Sequence, residues 1–125
     1  MLLKVLLVAV GGAVGSVARY GVSTAATKWF GTNFPWGTFA VNGIGCFLFG
    51  YLWALGEEKI AYSAEIRVLI FTGVLGGLTT FSSYTFESVV LARDGRLLAA
   101  TANVLGQNVL SAVLFLAGLA VARTA

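Results

Sequence analysis

Gly73-Val74-Leu75-Gly76-Gly77-Leu78-Thr79-Thr80-Phe81-Ser82-Ser83-Tyr84 lies inside the third apolar stretch of the chain, and its reading decides the fold. The uncharged window around it, Val68 to Phe86, is close to the roughly 20 residues that a helix needs to cross the hydrocarbon. Adjacent glycines followed by hydroxyl and β-branched residues nevertheless favour helix poorly. Two readings of Gly76-Gly77 follow. The pair is a small-residue packing seam, or the helix breaks there, where only protein or a polar cavity can satisfy the freed backbone groups. A break would expose carbonyls at mid-membrane, where they could ligate a cation.

Three more windows flank this one. Between Lys4 and Lys28 the only charge is Arg19, Trp29 to Gly56 has none, and Leu97 to Ala122 has none. The expected fold is an all-α membrane protein. Its single four-helix domain covers residues 1–125, with spans at about 3–28, 36–56, 67–92 and 97–122. The first run begins like a signal peptide behind Lys4 but continues too far, and nothing suggests cleavage. Phe34-Pro35-Trp36, the polar stretch from Glu57 to Arg67 and Arg93-Asp94-Gly95-Arg96 are the connections. Trp29, Trp36 and Trp53 fall where an interfacial aromatic belt would lie. Gly11 and Gly15 in span one read as a packing seam.

Composition agrees. Of 125 residues, 58% are hydrophobic and 10% charged, with a mean hydropathy of +0.91. Soluble domains carry about 25% charged residues, so a water-facing surface is excluded, and soluble enzyme and disordered regulator with it. The net charge of +3 comes from eight cations scattered singly, which form no nucleic-acid patch. With no His and only Cys46, neither a disulfide within the chain nor an ordinary zinc site is available. Lys4, Lys59, Arg67 and Arg123 fall on one side of a four-span chain, against Lys28, Arg93, Arg96 and Arg19 on the other. Loop cations set orientation by their asymmetry, and four against four leaves either a weak single topology or insertion both ways as an antiparallel dimer.

Polar residues inside spans are costly and therefore candidates for function. Thr38 and Asn42 share a face of span two, and Asn103, Gln107 and Ser111 form a stripe on span four, with Asn108 pointing elsewhere as a helix-contact residue. Such residues can simply join helices by hydrogen bonds, but two stripes favour a polar pathway. Their amides and hydroxyls donate to a small hydrated anion, and Phe81 and Tyr84 can add ring edges, the positive part of the aromatic quadrupole. Arg19 has a stem long enough to snorkel to the interface as an anchor. Glu87 stands at the end of span three or faces a vestibule, and no series of acids or histidines relays protons.

Gly11-Gly12 with Gly15 and Arg19-Tyr20, Gly37-Thr38 with Val41-Asn42, and above all Gly76 to Tyr84 with Glu87 resemble the Fluc/CrcB family of bacterial fluoride channels over essentially the whole chain. The resemblance implies passive, fluoride-selective export across the bacterial inner (plasma) membrane by a dual-topology homodimer in the lipid bilayer, with two pores and a central structural sodium. By position, the backbone carbonyls of Gly76 and Thr79 from both subunits would hold the sodium ion. Asn42 would be the pore amide, Phe81 and Tyr84 the ring ligands, and Ser83 a hydroxyl beside them. Thr38 continues that pathway, Asn103, Gln107 and Ser111 match the fourth-helix polar track, and Arg19 lies near a pore entrance. The family pattern usually has Phe where this chain has Tyr84. A small multidrug transporter, also four-span and dual-topology, would need an acid deep in span one, and none is there. A purely structural membrane subunit would need no polar stripes.

Overall fold

The computed structural model describes residues 1–125 and is helical throughout, with no strands. Helix α1 is Leu2–Phe30 and α2 is Trp36–Glu58. Helix α3 covers residues 64–78 in three continuous pieces, a first turn at Ala64–Arg67, a wide π-helical stretch at Val68–Leu75 and a last turn at Gly76–Leu78. Helix α4 is Phe81–Arg93 and α5 is Leu97–Thr124. Taken together, α3 and α4 make one span of 30 residues, so four segments are long and apolar enough to cross a membrane. The helices run a few residues past the expected spans, and the π-helical turns were not foreseen.

The third span is bent. Thr79 (φ −81°, ψ 156°) and Thr80 (φ −151°, ψ 116°) are extended, and α4 restarts with Thr80 as its cap, the threonine hydroxyl accepting from the Ser83 N–H at 3.2 Å. At the other end of α3, Ser63 caps the first turn through Ile66 N–H at 3.2 Å.

Helices pack where side chains are smallest, since lipid offers no hydrophobic drive to bring helices together. A Cβ on Gly77 would lie 2.6 Å from the Gly12 carbonyl oxygen, and one on Gly15 3.0 Å from the Gly77 Cα. Gly77 is therefore part of the α1–α3 seam with Gly11, Gly12 and Gly15, as the seam reading expects. Gly76 is not, being exposed with only the Phe71 carbonyl nearby, at 3.7 Å. Helices α2 and α5 form the broadest contact, with Gly50 and Gly118 lying against the backbone of Phe115 and Phe47. Val41, Leu75 and Leu78 make the small buried core.

Only 22 residues are buried, and Leu6, Val10, Val14, Leu98, Leu105 and Val113 face outward. Such a surface suits lipid or a partner, not water. At one end Trp36 packs among Phe30, Phe34 and Phe39, while at the other Trp53 lies beneath Arg67. Glu58 and Arg123 join the ends of α2 and α5 at 2.8 Å.

Candidate functional site

The extended Thr79-Thr80 pair interrupts the helical ladder, and backbone groups withdrawn from water need other partners. Asn42 supplies them from α2. Its Oδ1 accepts from the Thr80 N–H at 2.8 Å, and its Nδ2 donates to the Thr80 carbonyl at 3.1 Å and to Gln107 Oε1 at 2.7 Å. The network continues along α5 and back to α4. Gln107 Nε2 donates to Asn103 Oδ1 at 2.8 Å, Asn103 Nδ2 to Ser88 Oγ at 2.9 Å, and Ser88 Oγ to the Tyr84 carbonyl at 2.7 Å. Asn103 is 0% exposed and Gln107 5%.

Two grooves adjoin residues 79–83, the first at Thr79, Thr80 and Phe81 and the second at Ser83. The first, of about 410 Å³, is lined by Asn42, Phe81, Tyr84, Gln107, Asn108 and Ser111 among others, and has no charged residue. Phe81 is 78% exposed, its ring 5.4 Å from that of Tyr84 and inclined at 46°. The second, of about 470 Å³, holds Arg19, Thr38, Ser83 and Glu87. There Thr38 Oγ1 donates to Glu87 Oε1 at 2.7 Å, while Glu87 Oε2 is buried without a partner.

The structure therefore divides the residues singled out in the sequence. Asn42, Phe81, Tyr84, Gln107 and Ser111 share the first groove, and Thr38, Ser83 and Arg19 the second. Asn103 lines neither. Arg19 lines the second groove beside the bend. Its Nη1 is turned inward to the Thr79 carbonyl at 3.4 Å, because α1 crosses α3 closely at the glycine seam. Glu87 faces a groove instead of merely ending the span. Ser88, in the network, was missed. Asn108 is the helix contact that its position suggested, its Nδ2 meeting Tyr84 Oη on α4 at 2.9 Å, and it also lines the first groove, a place detectable because a tyrosine hydroxyl inside an apolar span demands a partner.

The carbonyls of Gly76 and Thr79 both lack the donor that a continuous helix would give them. The Thr80 N–H goes to Asn42 and the Ser83 N–H to the Thr80 hydroxyl. Gly76 is exposed and Thr79 half-buried, and the Thr79 carbonyl has only the long 3.4 Å contact from Arg19 Nη1. Oxygen dipoles of this kind fit a hard monovalent cation. No group of three His, Cys, Asp or Glu offers an alternative site.

Residues 6–119 match the family described as CrcB-like protein, Camphor Resistance (CrcB). The chain belongs to the CrcB family. A relative from Salinibacter ruber is 50% identical over 117 residues, covering 94% of this chain and 87% of its own. Relatives from Maridesulfovibrio salexigens and Nitrosococcus oceani are 45% and 42% identical over 120 residues, each covering 96% of this chain and at least 95% of itself. All three bear the name fluoride-specific ion channel FluC. This CrcB chain is thus similar over nearly its whole length to proteins named as channels, not enzymes.

Proposed function

We propose that this CrcB chain is a fluoride-selective channel that lets fluoride leave passively across the bacterial plasma membrane, as an antiparallel homodimer with two pores around a central structural sodium ion. The observation that carries the reading is the uncharged first groove, where exposed Phe81 and half-buried Tyr84 stand beside amide and hydroxyl donors. The names of the CrcB relatives point the same way. Fluoride holds its water tightly, so a path through the membrane has to replace that water with donors and still release the ion. Ring edges, amides and hydroxyls do this without a fixed positive charge that would trap it.

The donors sort by what they already hold. Ser111 has no side-chain partner, and Ser83 Oγ accepts from Thr80 Oγ1 at 3.0 Å, so the Ser83 hydrogen is free. Asn42 has given both amide hydrogens away, and an anion there takes the one now held by Gln107 Oε1. Thr38 keeps its hydrogen on Glu87, and Arg19 offsets that carboxylate in the same groove. Asn103 acts from behind, orienting Gln107. Glu87 is the only acid within the apolar spans, which leaves no relay for coupled proton transport.

The Gly76 and Thr79 carbonyls of two chains related by a twofold axis would supply four oxygens for sodium, a set that neither subunit has alone. When bound, sodium supplies a positive centre that ties the subunits together, with assembly linked to its binding. Purified protein in liposomes should pass fluoride and exclude chloride with no proton gradient. Flux or dimer stability should fall when sodium is replaced by a large organic cation. Equal chloride flux or strict proton coupling would defeat the channel reading, and full activity with an unchanged dimer in sodium-free buffer would defeat the sodium site alone.

A further inference from the structure

The Tyr84 hydroxyl is held in a way that leaves its proton free. Asn108 Nδ2 lies 2.7 Å from the Val104 carbonyl oxygen and 2.9 Å from Tyr84 Oη. A carbonyl oxygen only accepts, so the Asn108 atom facing it is the amide nitrogen; a flipped amide would set two acceptors against each other. That nitrogen has two hydrogens. One goes to the Val104 carbonyl and the other to Tyr84, whose oxygen therefore accepts. The Tyr84 O–H hydrogen has no protein acceptor, since the only bond made by this hydroxyl is the one from Asn108. Both side chains line the uncharged groove with Phe81, Asn42 and Ser111.

We infer that the Tyr84 hydroxyl is an anion-binding donor in the first groove, and that Asn108 is its positioning residue. The site takes a small, hard monovalent anion, for which an O–H donor of fixed direction is a better partner than a ring edge. In the fluoride reading, on which this inference rests, Tyr84 adds a hydroxyl ligand to the contact made by Phe81. The ring tilt of 46° between Phe81 and Tyr84 is then set partly from α5, through Asn108. An alternative role for the pair is to tie α4 to α5, which would make it a matter of stability and not of binding.

The test compares wild type, Tyr84→Phe, Asn108→Leu and the double variant in liposomes, reading fluoride flux against fluoride concentration. Tyr84→Phe should raise the half-saturating fluoride concentration about tenfold, corresponding to about 1.4 kcal/mol, near the low end for a hydrogen bond to a charged partner. Asn108→Leu should raise it by a smaller factor. The double variant should match Tyr84→Phe, because both changes act through one hydroxyl. A second readout does not depend on transport. The intensity ratio of the tyrosine Raman Fermi doublet, taken as wild type minus Tyr84→Phe, should shift from that of an accepting towards that of a donating phenol when fluoride is added, and not when chloride is added. Wild-type half-saturation in Tyr84→Phe, losses that multiply in the double variant, or a doublet indifferent to fluoride would overturn the assignment. If wild type passes no fluoride while the doublet still responds, the hydroxyl site stands and the channel reading fails.

Discussion

Replacing Asn42 by alanine removes the only side chain of another helix that bonds to the Thr80 backbone at the bend in the third span. Three hydrogen bonds go at once, two to the backbone of Thr80 and one to Gln107 Oε1. The Thr80 carbonyl keeps its place at the start of α4, where a capping carbonyl accepts the first helical bond. The Thr80 N–H and Gln107 Oε1 are left without partners. At about 1–3 kcal/mol for each orphaned group, and with water from the groove replacing part of what is lost, the expected destabilisation is about 2–4 kcal/mol. An interhelical hydrogen bond within a membrane protein averages only about 0.6 kcal/mol, so Asn108→Leu, which removes a single contact between α4 and α5, is the control. Unfolding by SDS in mixed micelles, followed by the fluorescence of the three tryptophans, measures both variants. Protomer concentration has to be held constant, because partner binding adds to apparent stability. A loss for Asn42→Ala no larger than that for Asn108→Leu would refute the view that this amide stands in for the missing helical bonds.

Phe81→Ile should abolish or severely reduce fluoride flux while leaving the chain folded, since the ring is 78% exposed and little packing within the chain depends on it; if the proposed dimer forms, it should stay assembled, and wild-type flux from the folded variant would show that the ring is no ligand. Gly77→Ala should lower unfolding stability by about 1–3 kcal/mol, the range for overpacking, because its new methyl would meet the Gly12 carbonyl at 2.6 Å. Gly76→Ala meets nothing closer than 3.7 Å, so the same unfolding assay should find it near wild type within the fold. A cysteine at position 125, in a Cys46→Ser background, should label from both faces of native membranes if the chain inserts both ways; one-sided labelling of an active preparation would rule that out.

The four spans were legible because partition into lipid is nearly a property of each residue alone. Summing hydropathy along the chain locates α1, α2, the α3–α4 span and α5 within a few residues. The glycine seam on α1 was legible for a related reason, since small residues at helical spacing mark close approach. The residues that line the first groove were legible too, Asn42, Gln107 and Ser111 because polar side chains are costly in a span, and Phe81 and Tyr84 because their rings, three apart, can present edges to an anion.

Tertiary structure decided which partner each of them has. Spacing placed Asn103, Gln107 and Ser111 on one stripe, yet only the rotation of α5 against α2 and α4 buries Asn103 completely and leaves Ser111 in the groove. Gly76 and Gly77 are indistinguishable as residues. The crossing of α1 over α3 makes one a packing contact and leaves the other exposed with a carbonyl free of its helical donor. Arg19 lies within 3.4 Å of the Thr79 carbonyl, and Asn108, a helix contact as its position suggested, finds its partner in the Tyr84 hydroxyl; neither partner is named by spacing. The physical reason is the same throughout: burial in lipid depends on what a residue is, whereas a hydrogen bond depends on distance and direction between two residues that only the packing of helices brings together.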